Sequence, residues 1–144
     1  MDAAGSTVST RRASAVVTLL TLLVASTTLA CGDNLGGSAR TIENAKYVVA
    51  FRTTPDPVVV GMHFVLDFAV CPRGMAKPPR SVRVDARMPE HRHGMNYRPV
   101  VMARGSGSYH AEGLMFHMPG RWDLLFDVVT SAGSERLTGT LQIE

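Results

Sequence analysis

The chain has 144 residues, of which 45% are hydrophobic and 19% charged, and a formal charge of +3. That length suits one domain. The composition excludes a disordered chain, and two cysteines are too few for a disulfide-rich scaffold or a Cys-only metal site. Residues 13–30 are the one long apolar run without charge, so a multi-span membrane protein is excluded too.

The N-terminal segment reads as an address. Arg11 and Arg12 precede the uncharged run and small residues follow it, the order of a secretory signal. The run ends in Thr28-Leu29-Ala30-Cys31, which resembles a bacterial lipobox. Residues 1–30 are therefore expected to be a lipoprotein signal peptide. Cys31 would be the lipidated first residue, and 31–45 a flexible tether leading to a domain over 46–144. The alternative is a single N-terminal transmembrane anchor, for which the run is short and diluted by Ser and Thr. The residues flanking Arg11-Arg12 fit twin-arginine export poorly. Removing Asp2, Arg11 and Arg12 from totals of 15 basic and 12 acidic residues leaves a net charge of +2, too little to argue nucleic-acid binding. Arg73, Lys77, Arg80, Arg83 and Arg87 form a basic run, read as a solvated strand face and loop.

Beyond residue 40 the apolar period is two, not 3.6. Strands are predicted at 46–53, 61–70, 81–88, 97–103, 109–118, 121–130 and 136–143. Phe64, Leu66, Phe68 and Val70 share one face of the second. Val82, Val84, Ala86 and Met88 point inward from the third, with Arg83, Asp85 and Arg87 outward. Trp122, Leu124, Phe126 and Val128 point inward from the sixth, and Leu137, Leu141 and Ile143 from the last. Turn residues separate the strands, among them Pro55-Asp56-Pro57, Pro78-Pro79, Gly105-Ser106-Gly107 and Pro119-Gly120. About seven short strands in about 100 residues predict an all-β fold, an immunoglobulin-like antiparallel β-sandwich. With Cys31 occupied by lipid, Cys71 reads as a free buried thiol, or as a metal ligand.

The chemistry concentrates in the middle of the domain. Apart from Met1, all the methionines and all five histidines fall between Met62 and Met118. The densest segment is Met88-Pro89-Glu90-His91-Arg92-His93-Gly94-Met95. On an extended strand His91 and His93 point the same way, and Met88 and Met95 add thioethers from either side. A second pair, His117-Met118, precedes the Pro119-Gly120 turn. Imidazole with thioether suits copper. Zinc is the second choice and would take His91, His93 and a third histidine or a carboxylate such as Glu90. Met88 and Met118 also serve as core filler.

Met88-Pro89-x-His91-x-His93-Gly94-Met95 resembles the first motif of YtkA-like domains. Tyr109-x-x-x-Gly113-Leu114-x-Phe116-x-Met118-Pro119-Gly120-x-Trp122-Asp123-Leu124 is similar to the second. The resemblance covers roughly 46–144. It implies a small β-sandwich in an exported or anchored bacterial protein, related to FixH-like proteins of oxidase assembly and often beside copper handling. It offers Met88, His91, His93, Met95 and Met118 as ligands, with His117 beside them. Relatives commonly have Gly where this chain has Arg92.

Two functions of different class follow. One is a lipid-anchored protein of the cell envelope that binds copper and passes it to a protein partner. The other is a metal-free immunoglobulin-like interaction module. The chain contains no Gly-x-Ser-x-Gly, phosphate loop or His-Glu-x-x-His. An enzyme, a nucleic-acid partner and a small-molecule substrate are therefore not expected.

Overall fold

Strict alternation in Ser81–Met88 is matched by alternate burial along that strand, with Val82, Val84, Ala86 and Met88 inside. The same rule, one face to the core and one to solvent, organises the remaining strands. The computed structural model describes Met1 and residues 30–144; the signal-peptide expectation for 1–30 lies almost wholly outside the described residues.

Among the described residues nine strands form two antiparallel sheets. They are β1 (Arg40–Glu43), β2 (Tyr47–Thr54), β3 (His63–Pro72), β4 (Ser81–Met88), β5 (His93–Gly94), β6 (Val100–Gly105), β7 (Ser108–Met115), β8 (Gly120–Thr130) and β9 (Gly133–Ile143). The first sheet runs β1-β2-β3-β7-β6 and the second β5-β4-β8-β9. The fold is the expected β-sandwich, with nine strands where the sequence predicts about seven. The two extra strands, β1 and β5, are four and two residues long, too short for a period to be read.

Aromatic rings join the sheets. Phe126 of β8 meets Phe51 of β2 at 5.4 Å and Phe68 of β3 at 5.3 Å between ring centroids. Gly139 of β9 makes room for this contact, since a Cβ there would lie 3.0 Å from the Phe51 ring. β8 departs from strict alternation: Asp123 and Leu125, which alternate with its inward residues, are buried as well. β8 lies between β4 and β9, and its neighbours cover its outer face. Asp123 accepts a hydrogen bond from the Thr140 hydroxyl at 3.2 Å and pairs with Arg87 at 3.7 Å.

The segment 31–45 is not a tether. Asp33–Leu35 forms a 3-10 turn, Leu35 is buried, and Arg40–Glu43 pairs with β2 as β1. Gly32 adopts φ +82°, and a Cβ there would come 2.4 Å from the Ala50 Cβ, so the turn lies flat on β2. Arg52 donates to the Leu35 carbonyl at 2.9 Å. Cys31 is bonded to Cys71 in a disulfide across a sequence separation of 40. This corrects two expectations. Cys71 is neither a free thiol nor a metal ligand, and it is half-buried, not buried. The Cys31 sulfur, already bonded to a second sulfur, has no valence for a thioether lipid. The pairing runs against the expectation that lipid occupies Cys31, and it depends on Val48 and Cys71 facing each other across β2 and β3, which only folding brings about.

On the outer face of the second sheet Arg136 donates two hydrogen bonds to Asp127, at 2.6 and 2.8 Å. Those hydrogen bonds, ahead of the opposing cost of burial, hold the Asp127 carboxyl below its usual range. A depressed folded-state pKa gives stability that is present above the unfolded value of about 4 and lost as pH falls through the folded one. The melting-temperature gap between the wild type and Asp127→Asn should therefore be present at pH 7 and shrink below about pH 4. A gap of equal size at pH 7 and pH 3 would contradict this assignment.

Candidate functional site

The site lies at the end of the sandwich where the chain leaves β7 in one sheet for β8 in the other. The β4–β5 hairpin belongs to the second sheet and closes the same end. Met88 is the cross-strand partner of His93, so the two side chains leave one face of that pair. Met88 is fully buried. Its methyl end reaches under the opposite turn: a Cβ at Gly120 would lie 2.7 Å from the Met88 Cε. Gly120 has φ +125°, which a side chain rarely adopts, so this close approach and the turn need glycine for two reasons.

The three histidines singled out by the sequence come together. His93 stands 5.0 Å from His117 and 5.9 Å from His91, between ring centroids. His91 is exposed, while His93 and His117 are half-buried. The His93 Nδ1 lies 3.2 Å from the Gly94 carbonyl oxygen. A carbonyl only accepts, so in the neutral ring this contact puts the proton on Nδ1 and leaves the Nε2 lone pair free. His117 Nδ1 is buried and has no hydrogen-bond partner. Leaving such an atom unpaired costs about 1–3 kcal/mol, and an unpaired buried atom in a folded protein calls for an explanation.

Trp122, expected from the sequence as an inward residue of β8, also binds this cluster together. Its ring meets His117 at 5.4 Å and His93 at 5.9 Å, near-perpendicular in both cases, and stacks on Phe116 at 4.5 Å. Its indole N–H donates to the Met118 carbonyl at 3.0 Å, which holds the residues before the Pro119-Gly120 turn. The sequence signal was present in the spacing His117-Met118-Pro119-Gly120-x-Trp122, which returns Trp122 to the start of β8 beside the residues it orients.

Met118 is half-buried and packs against the core. Met95 and His93 line different clefts. The Met95 N–H donates to the Ala86 carbonyl at 3.2 Å, and Met95 lines a cleft of about 680 Å³ with Val84, Tyr97 and Arg98. His93 instead opens onto a separate cleft of about 480 Å³, with Met88, Pro89 and Arg92. Arg92 has φ +57° and an exposed side chain, so the residue between the histidines sits in a left-handed turn and turns its charge to solvent. The remaining histidines lie elsewhere. His110 pairs with Asp67 at 2.6 Å and His63 packs on Tyr97 at 5.2 Å.

Among the described residues no group of three or more His, Cys, Asp or Glu side chains is arranged to hold a metal ion. The zinc set of His91, His93 and Glu90 is therefore not assembled. What the fold does bring together is two half-buried imidazoles, a buried thioether and an indole. That set offers soft and borderline donors and no carboxylate.

No protein-family profile matches the chain, and no curated protein matches it. Among solved structures, the chain is similar to a DUF4426 family protein from Pseudomonas aeruginosa PAO1. The identity is 11% and the TM-score 0.49, with 73% of this chain and 94% of that chain covered.

Proposed function

We propose that the chain is an exported β-sandwich protein that binds copper, as Cu(I), at the cluster of His93, His117 and Met88. The observation that carries this reading is the buried, unpartnered His117 Nδ1, in a ring whose centroid lies 5.0 Å from that of His93. A metal ion bound to both imidazoles would satisfy that atom. With two imidazoles and no carboxylate, thioethers from Met88 and from Met118 next to His117 complete the set, and soft sulfur favours Cu(I). His91, on the exposed side of His93, is suited to receiving or releasing the ion. A bound ion would supply no chemistry beyond its own transfer: this is a binding protein and not an enzyme. The resemblance to YtkA-like domains is consistent with this role, and the left-handed backbone at Arg92 suits the Gly common at that position.

Export is supported by the signal-like order of residues 11–31 and by the Cys31–Cys71 disulfide, which persists outside the reducing cytosol. The protein would then act in the cell envelope or beyond it, passing copper to a protein partner.

Anaerobic titration of the purified protein with Cu(I) against a competing chelator tests the reading. One ion per chain should bind, and His93→Ala/His117→Ala should abolish binding while the far-UV spectrum stays that of the wild type. Equal affinity in the folded double variant would overturn the ligand set. His91→Ala should leave the equilibrium affinity within about threefold, since a single 0.6 kcal/mol change is of that order.

A further inference from the structure

We propose that Trp122 is a wall of the copper site and holds Cu(I) through its indole π-system, an inference that rests on the Cu(I) reading above and deepens it. The indole is fully buried, and both imidazoles proposed as ligands touch it near-perpendicularly. Both imidazoles contact the indole, so an ion that they held would sit beside it. Indole is the strongest aromatic partner for a cation, and the attraction grows when water is excluded. Here Phe116 stacks on the indole and the core surrounds both rings. The ring is also fixed in orientation, because its N–H is bonded to the Met118 carbonyl. A rigid π-system beside two imidazoles and thioethers favours a singly charged soft ion of low coordination number. Zn(II) and Cu(II) ask for further nitrogen or oxygen donors, and among the described residues no third such group completes the set. The site is thereby selective for Cu(I) by its donor set and its wall together.

The chain has a single tryptophan, so its emission reports on this ring alone. In the anaerobic titration, Trp122 emission should be quenched in proportion to the Cu(I) bound, as measured independently by chelator competition. Ag(I), a redox-inert ion of the same charge, should quench in the same way, and Zn(II) should not. Trp122→Phe should bind Cu(I) about tenfold more weakly, the loss of the stronger cation–π partner. If competition shows Cu(I) bound and the emission is unchanged, Trp122 is not at the ion and the inference falls while the copper reading stands. If competition shows no Cu(I) bound, the copper reading falls and this inference with it. Zn(II) quenching as strong as Cu(I), or unchanged Cu(I) affinity in folded Trp122→Phe, would also overturn it. Should Trp122→Phe fail to fold, the emission titrations of the unmutated protein with the three ions still decide.

Discussion

Cys31→Ser is expected to lower the free energy of unfolding by about 4 kcal/mol, the chain-entropy value for a loop of this length. The loop spans a sequence separation of 40 and includes β1, β2 and most of β3. Without the bond, the 3-10 turn at Asp33–Leu35 keeps only Leu35 and a few hydrogen bonds to hold it to the sheet. Cys71→Ser should cost the same amount, because the bond needs both sulfurs. Urea unfolding of the two variants and of the wild type measures this. The same pair of variants separates the disulfide from a lipid anchor. A disulfide leaves no thiol to alkylate in the unfolded, unreduced protein. A lipid on Cys31 leaves one alkylatable thiol, at Cys71, and makes membrane fractionation depend on Cys31 alone. Detection of that single thiol would overturn the disulfide assignment.

Phe126→Ala is expected to be as damaging, with a loss of about 3–5 kcal/mol. Phe126 is fully buried and touches Phe51 and Phe68 in the facing sheet. Removing the ring opens a cavity between the two sheets where β2, β3 and β8 meet, and the strand backbones on either side cannot collapse into it without breaking their ladders. A loss below 1 kcal/mol in urea unfolding would mean that the sheets are held together elsewhere. The effect bears on function as well. Trp122 lies on the same inward face of β8, so the packing of that strand sets where the indole meets His93 and His117.

Much of this architecture was legible from residue pattern alone. Ser81–Met88 was bounded to the residue, since four buried apolar positions alternate with exposed Ser81, Arg83, Asp85 and Arg87. The ends of other strands were less clear. β6 begins at Val100 and not Tyr97, because Pro99 has no N–H to give a ladder. β7 ends at Met115, three residues earlier than expected, since the chain turns there to cross to the other sheet. That the loop after Met88 and the Pro119-Gly120 turn meet at one end of the sandwich was decided by the sheet topology, which brings the His93 ring 5.0 Å from that of His117.

Local sequence by itself determined the class of fold, the inward faces of the strands and the two His/Met segments, because side-chain alternation is a property of each strand alone. Tertiary structure decided the rest. It paired Cys31 with Cys71, turned the expected tether into part of the sheet, set Met95 on a different cleft from His93, and placed Trp122 against both imidazoles. Each of these depends on which strands become neighbours and in what register, and that is settled only when distant segments compete to bury their apolar faces.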